Sequence, residues 1–165
     1  MSVVGVLDSD KRLDLLRNYL TGVSRSYYKQ EGVEFTNRTE FHNLMSYIMN
    51  DLVSGLEIVQ EVRVREYGRK RPDFIVRDRI HNKVLGCLET KRLNQKLSDK
   101  RFENQIEYYS RELPVIFTNY IHFQLIVSGE VIFEIDNIFL TGNMDDVYED
   151  LKKMLELFLV YSKVR

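Results

Sequence analysis

Hydrophobic positions at helical spacing open the chain. Three leucines recur at intervals of three and four residues, which predicts a short helix over residues 9–21 with Ser9 as its cap. We expect this helix to be peripheral to the domain. The mixed stretch that follows, residues 21–35, is typical of a loop or of short extended structure.

A longer amphipathic helix is predicted to begin at Asn37. Asn37 and Glu40 have the spacing of a capping box, and Gly55 is expected to end the helix. One stripe of this helix carries apolar side chains that should face the core. They are Phe41, Leu44, Met45, Ile48, Met49 and Leu52.

Short apolar runs bounded by turn residues follow and predict strands. In the first run Val62 and Val64 alternate with arginines, which is typical of a half-buried strand. Residues 68–72 and 79–83 are expected to be turns. The runs predicted as strands are residues 57–67, 73–78, 84–91, 113–120 and 122–127, with 130–136 as a further candidate.

Two more helices complete the pattern. Residues 98–110 are predicted to be helical, with Ser98 as the cap and one apolar face. That face consists of Phe102, Ile106 and Tyr109. An amphipathic helix over residues 143–164 closes the chain. Its inward side chains are predicted to be Val147, Leu151, Met154, Leu155 and Phe158.

The order of these elements predicts an α/β domain with a mixed central β-sheet flanked by α-helices. A length of 165 residues fits a single domain, residues 1–165, with its core at about residues 37–160. No apolar run reaches the about 18 residues of a membrane span, and the N-terminus lacks the pattern of a signal peptide. We therefore expect no membrane partner and a cytoplasmic location. Cys87 is the only cysteine, which excludes an internal disulfide and a multi-cysteine zinc site.

Charge is segregated along the chain, although the net charge is only −1. Residues 61–101 hold 13 of the 24 basic and 6 of the 25 acidic residues, so this block carries +7 and the rest of the chain −8. Local positive charge governs contact with phosphate more than the net charge does. The block therefore indicates a nucleic-acid partner, with a solvated surface of mixed sign as the alternative.

Charged side chains interrupt the two most strand-like runs within this block. Side chains alternate along a strand, so Cys87, Glu89 and Lys91 share one face, and Asp73 opens the neighbouring strand of the same hairpin. We expect Asp73, Glu89 and Lys91 to meet at one edge of the sheet. Two carboxylates suit Mg²⁺, which takes one or two protein carboxylates and completes its shell with water and phosphate. An ordinary surface ion pair of Lys91 is the alternative.

The acid-x-Lys spacing alone carries little information, since about 1.5 matches are expected by chance in a chain of this composition. A second match, Asp150-Leu151-Lys152, lies in the predicted closing helix. Pro72-Asp73 is rarer because the chain has only two prolines. The pairing of the two motifs in one hairpin is therefore what favours a site.

The histidines and the cysteine are weaker candidates. His42, His81 and His122 are far apart in sequence and lack metal-ligand spacing, so none is assigned a catalytic role. Cys87 is expected to be a small buried residue rather than a nucleophile.

The chain resembles the PD-(D/E)xK nuclease superfamily in three motifs. They are Pro72-Asp73, Glu89-Thr90-Lys91 and, on the next helix, Gln105-x-x-x-Tyr109. The chain resembles in particular the N-terminal endonuclease domains of type IIG and type ISP restriction–modification enzymes, and then the nuclease domain of the type I restriction subunit. The resemblance covers residues 37 to about 160. It implies a restriction-endonuclease-like core.

The same resemblance implies Mg²⁺-dependent hydrolysis of DNA phosphodiester bonds, with Mn²⁺ as a substitute. Asp73 and Glu89 would bind the metal together with the backbone carbonyl of Thr90, and Lys91 would act on the attacking water. Thr90 stands where the family often has an apolar or small residue. Gln105 and Tyr109 would orient Lys91 or hold the DNA backbone, with a plain core role as the alternative for Tyr109.

Glu40 is the helical glutamate best placed for a second metal contact, either directly or through water. Glu34 and Glu57 are less favoured, and a first-turn glutamate that complements the helix dipole is the structural alternative for Glu40. The side chains expected to contact DNA are Arg63, Arg65, Arg69, Lys70, Arg71, Arg92, Lys96 and Tyr109.

Three functions remain open. The first is a restriction-type endonuclease, either stand-alone or the nuclease domain of a larger restriction–modification protein. The second is a Holliday-junction or repair nuclease of the same fold. The third is a non-catalytic DNA-binding module, which is disfavoured because all three motif positions are filled. A double-strand break requires two active sites, so a homodimer, or a partner methyltransferase or specificity chain, is expected besides DNA.

Overall fold

The computed structural model describes residues 3–29 and 34–162, with side chains for residues 10–28 and 37–162. The α-helices are α1 (Val3–Lys29), α2 (Glu34–Leu52), α3 (Glu103–Ser110) and α4 (Met144–Tyr161). The strands are β1 (Leu56–Gln60), β2 (Phe74–Asp78), β3 (Lys83–Thr90), β4 (Val115–Thr118), β5 (Phe123–Val127) and β6 (Glu130–Ile135). Within the described ranges, no helix is both long and apolar enough to cross a membrane.

The six strands form one mixed sheet in sequential order, from β1 at one edge to β6 at the other. All neighbouring strands are antiparallel except β3 and β4, which are parallel. A parallel pair needs a long crossover connection, and α3 lies in the one between β3 and β4. The predicted α/β class and mixed sheet are confirmed.

The two faces of the sheet pack against hydrophobic clusters of different size. The large-core face packs against α1, α2 and α4 around a cluster of aromatic rings that includes Phe41, Phe74 and Phe123. The opposite face, here called the α3 face, packs against α3 in a smaller cluster that includes Cys87 and Phe117. Alternation along the strands decides which side chains reach which cluster.

Close backbone packing fixes β3 beneath α4. A Cβ atom at Gly86 would collide with the Pro114 carbonyl oxygen and with the ring of Phe158. A glycine at this position therefore lets the middle strand approach the closing helix. The inward side chains predicted for α4 are all buried, as expected from its amphipathic pattern.

The N-terminal helix is longer and more deeply packed than its sequence pattern indicated. Ser9 lies inside α1 rather than at its start, and the predicted loop beyond residue 21 is helical as far as Lys29; residues 30–33 lie outside the described part of the chain. Tyr19 Oη donates a hydrogen bond to the Tyr120 carbonyl at 2.5 Å. Among the described side chains of α1, the fully buried ones are Leu16, Tyr19 and Val23. The peripheral placement is therefore wrong, because this apolar stripe belongs to the large core.

The second helix also begins earlier than predicted. α2 starts at Glu34, so Asn37 lies one turn inside it and does not form the predicted capping box with Glu40. The buried Asn37 side chain instead accepts a hydrogen bond from Ser26 Oγ at 3.3 Å, which joins α1 to α2. The predicted stripe is confirmed, with Leu52 at its partly buried end. Gly55 follows the helix with a φ of 86°, a conformation that favours glycine.

The first strand is shorter than predicted and ends at Gln60. Its partner β2 begins at Phe74, and the preceding Pro72 has no N–H to donate to a longer ladder. Glu61 turns the chain with a φ of 48°, and a 3₁₀ turn follows at Arg65–Tyr67. Asp99, rather than the predicted Ser98, caps the 3₁₀ turn that leads into α3.

Candidate active site

The β2–β3 hairpin brings the three motif side chains together at one edge of the sheet. Phe74 lies opposite Leu88, so Asp73 and Glu89 occupy the next cross-strand position on the α3 face. The Asp73 backbone N–H donates to Glu89 Oε2 at 3.2 Å. Lys91 Nζ donates to Glu89 Oε1 at 3.0 Å.

Gln105 closes this cluster from α3. Its carbonyl oxygen accepts a hydrogen bond from Lys91 Nζ at 2.8 Å, and its Nε2 donates to Glu89 Oε1 at 2.8 Å. Lys91 Nζ also lies 4.7 Å from the centre of the Phe102 ring. The predicted side chains Glu89, Lys91 and Gln105 therefore form one closed hydrogen-bonded triangle with a fixed lysine.

Asp73 is held through both of its carboxylate oxygens. Oδ2 accepts hydrogen bonds from the Thr90 backbone N–H at 2.8 Å and from the Thr90 hydroxyl at 2.7 Å. Oδ1 accepts one from Arg38 at 2.8 Å, and the same guanidinium donates to Glu61 Oε1 at 2.8 Å. Sequence reasoning missed Arg38, because no local motif marks a helical arginine whose partners lie 23 and 35 residues away.

Glu40 does not join the cluster. It follows Arg38 by two residues, which is about 200° around a helix, and Arg38 is the side chain turned towards Asp73. Among the described side chains, no third His, Cys, Asp or Glu converges with Asp73 and Glu89 in the manner of shared metal ligands. Glu57 pairs with Arg77 instead, and the side chain of Glu34 lies outside the described residues.

Burial makes ionisation of Glu89 costly. The side chain is 6% exposed, and this burial, followed by the nearby charge of Asp73, raises its pKa to about 6 despite the opposing effect of Lys91. A divalent cation bound between Asp73 and Glu89 would relieve their repulsion. Two carboxylates and the predicted Thr90 carbonyl form an all-oxygen set that suits Mg²⁺.

Tyr109 does not reach the surface, so its predicted contact with the DNA backbone is wrong. Its side chain is buried against Tyr67, with ring centres 5.4 Å apart, and burial raises its pKa to about 12. Its hydroxyl lies 3.5 Å from Gln105 Nε2. Cys87 is fully buried and its pKa is raised by that burial, which agrees with the structural role expected for it.

The basic residues predicted to contact DNA lie on both sides of the cluster. One group precedes Asp73 in the connection from β1, and the other follows Lys91 in the connection to α3. Lys70 Nζ lies 4.4 Å from the centre of the Tyr108 ring, which fixes one of these cations. The exposed members are Arg63, Arg65, Arg69, Lys70, Arg71, Arg92 and Lys96.

A second group of ionisable side chains lies on the same face near the far edge of the sheet. Phe123 pairs with Ile135, so His122 and Gln124 lie opposite Asp136 and Glu134. The ligand atoms of His122, Glu134 and Asp136 all lie within 4.8 Å of one another. The spacing of the histidines relative to one another gave no signal for this group, whereas a hairpin between the predicted strands 122–127 and 130–136 could have indicated it.

Comparison with known proteins identifies the fold. No family model matches the chain, and no curated protein matches it in sequence. It superposes on a DrdV–DNA complex solved by cryo-EM with a TM-score of 0.66 and 24% identity, over 89% of this chain and 14% of that one. It superposes on the type IIG restriction endonuclease BpuSI with a TM-score of 0.52 and 21% identity, over 74% of this chain and 16% of that one.

The chain therefore spans a small part of each of these larger proteins. Both superpositions include most of the described elements, and the predicted restriction-endonuclease-like fold is confirmed.

Proposed function

We propose that this chain is a DNA endonuclease domain of restriction type, which hydrolyses phosphodiester bonds with Mg²⁺ and accepts Mn²⁺ in its place. The observation that carries the proposal is the cluster of Asp73, Glu89, Lys91 and Gln105 at the β2–β3 edge of this fold. The fold shared with a type IIG restriction endonuclease supports it. DNA in the DrdV complex supports DNA as the partner.

Asp73 and Glu89 would hold the metal, together with the Thr90 carbonyl. When bound, Mg²⁺ would polarise the attacking water and offset the charge that develops on the phosphoryl oxygens. Thr90 fixes Asp73 through two hydrogen bonds, and the β2–β3 pairing fixes Glu89 beside it. The two ligands are therefore already oriented, which reduces the reorganisation needed on binding.

Lys91 would hold the attacking water or a phosphate oxygen. An ammonium group has three N–H donors, and the described contacts use two of them, on Glu89 and Gln105. The third would be directed at the substrate. Gln105 would act as a positioning residue for Lys91. The buried Tyr109 hydroxyl accepts a hydrogen bond from Gln105 Nε2 and so holds the amide in place.

The exposed arginines and lysines on both sides of the cluster would contact the DNA backbone. Such contacts position a duplex without reading its sequence. One active site per chain nicks one strand, so a double-strand break would require a second copy or a partner chain.

The test is cleavage of supercoiled plasmid with Mg²⁺, with Mn²⁺, and with a chelator. We expect metal-dependent nicking by the wild type and its loss in Glu89→Ala and Lys91→Ala. The matched control is Asp150→Ala with Lys152→Ala, which removes the second acid-x-Lys match on α4 and should leave nicking unchanged.

Equal nicking by all variants would refute the site. Metal-independent binding of plasmid without nicking would favour a DNA-binding module. Cleavage confined to a four-way junction would favour the junction-nuclease alternative, so that substrate is included in the same assay.

A further inference from the structure

The side chains of His122, Glu134 and Asp136 are metal-ligand types that converge away from the candidate active site. One ligand atom from each lies within 4.8 Å of the others, and His122 Nε2 lies 3.3 Å from Glu134 Oε1. The cross-strand pairing of Phe123 with Ile135 produces this convergence. The ligands therefore sit on paired strand ends rather than on a free loop.

The backbone at His122 is tightly held. Its N–H donates to Asn119 Oδ1 at 2.8 Å, and its carbonyl accepts from the Thr118 hydroxyl at 2.7 Å and from the Asn119 N–H at 3.3 Å. Across the hairpin, Gln124 Nε2 donates to Glu134 Oε2 at 3.0 Å. An outer partner of this kind orients a ligating carboxylate.

The imidazole of this group has a buried nitrogen atom that a bound cation would satisfy. His122 Nε2 is buried and, among the described residues, makes no hydrogen bond of ordinary geometry despite its nearness to Glu134. The carboxylate oxygens of Glu134 and Asp136 lie within 4.8 Å of each other, so their negative charges repel. A positive ion between the carboxylates and the imidazole would replace that repulsion with attraction.

The ligand types select the class of metal. Mg²⁺ prefers an all-oxygen shell, whereas a set with imidazole nitrogen and carboxylate oxygen suits Zn²⁺ and the neighbouring first-row divalent ions. The group is also separate from the Asp73–Glu89 pair. Cross-strand neighbours lead from Glu89 through Phe117 and Gln124 to Glu134, which is three strand spacings or about 14 Å.

We propose that His122, Glu134 and Asp136 form a second metal site, which binds one divalent transition-metal ion of the Zn²⁺ class and joins β5 to the edge strand β6. The candidate active site does not take part in it. Gln124 supports the site through Glu134 without touching the ion.

The test is calorimetric titration of the wild-type protein with Zn²⁺ in saturating Mg²⁺. We expect one equivalent of Zn²⁺ to bind. His122→Ala should weaken binding by at least 100-fold and Gln124→Ala by about 10-fold, because outer partners contribute about 10–100-fold. Glu134→Gln is a milder second ligand variant, and circular dichroism verifies that each variant is folded.

His81→Ala is the matched control, since His81 Nδ1 lies 2.6 Å from an Asp78 oxygen in an exposed turn but has no third ligand among the residues that the structure describes. It should bind Zn²⁺ as the wild type does, and so should Glu89→Ala. The proposal is overturned if the wild type binds no Zn²⁺ or if folded His122→Ala and Glu134→Gln bind it normally. It is also overturned if the equivalent is lost in His81→Ala or Glu89→Ala instead.

Discussion

Two polar clusters occupy one row of the α3 face and differ in what covers them. At the β2–β3 end, Glu89 is 6% exposed beneath Gln105 and Lys91. At the β5–β6 end, Glu134 is 37% exposed. Phe117 lies between them and packs against Phe102, with ring centres 5.8 Å apart. The same carboxylate chemistry is therefore placed in two different dielectric environments.

The difference appears in proton affinity. Burial raises the pKa of Glu89, whereas a hydrogen bond from Asp136 acts first to lower that of Glu134. Asp73, Glu89 and Lys91 of the first cluster lie within the basic block of residues 61–101, whereas the second cluster holds two carboxylates and one imidazole. Gln105 and Phe102, rather than the sheet itself, therefore give Glu89 and Lys91 their buried environment.

The largest effect is expected at the lysine of the buried cluster. Lys91→Ala should lower the metal-dependent cleavage rate by about 10³-fold, because it removes a preorganised cation from the reacting phosphate. Lys83→Ala, at the exposed opposite end of the same strand, is the control and should change the rate by less than about threefold. Comparable losses in the two variants would show that β3 contributes only stability.

The next effect concerns the ion pairs beneath the cluster. Arg38 is 9% exposed between Asp73 and Glu61, so Arg38→Met should lower the free energy of unfolding by about 3 kcal/mol. Mg²⁺ should recover part of this loss by neutralising Asp73. The measurement is urea unfolding with and without Mg²⁺.

Arg101→Met provides the exposed counterpart, since Arg101 is 72% exposed in its pair with Asp99. We expect a much smaller change in the free energy of unfolding than for Arg38→Met, because solvent screens an exposed ion pair. If Arg101→Met costs as much as Arg38→Met, burial is not what distinguishes the two ion pairs.

A smaller effect of opposite sign is expected at Glu89. Its pKa is raised in the folded protein, so it stabilises the fold when protonated, below its ordinary value near 4.5, and this contribution is lost as pH rises through about 6. At pH 7.5 the carboxyl is ionised, and burial of its charge lowers the free energy of unfolding by about 2 kcal/mol. Glu89→Gln should therefore unfold at equal or higher urea concentration than the wild type, although we expect it to lose cleavage.

The pH dependence of unfolding provides the control for this prediction. The advantage of Glu89→Gln should shrink below pH 5, where the wild-type carboxyl is protonated. Glu134→Gln should show no such advantage at any pH. A variant Glu89→Gln that is less stable than the wild type at pH 7.5 would contradict the assigned cost of burial.

The smallest effects are expected at the rim of the active-site cluster. Arg69→Ala and Arg71→Ala should each weaken DNA binding and reduce the slope of log K against log salt by about 0.9. Lys152→Ala on α4 should leave the slope unchanged. An unchanged slope in both arginine variants would remove this segment from the DNA interface.

Local pattern was sufficient for much of this protein. Strand alternation predicted that Glu89 and Lys91 share a face, and the short hairpin predicted that Asp73 joins them, because both depend on residues that are close in sequence. The apolar stripe of α2 and the six runs predicted as strands could also be predicted, because they depend on residues that are close in sequence. The sequence also placed Gln105 one helix after the lysine.

Tertiary packing decided the rest. Arg38 rather than Glu40 reaches the cluster because the side of α2 that carries Arg38 packs towards the strand ends. Helix α1 is buried because its apolar stripe packs into the large core. Tyr109 is buried because Tyr67 packs against it from a turn that the pattern had described as strand. Alternation is a property of the local chain, whereas these contacts depend on how distant elements pack, which no local spacing encodes.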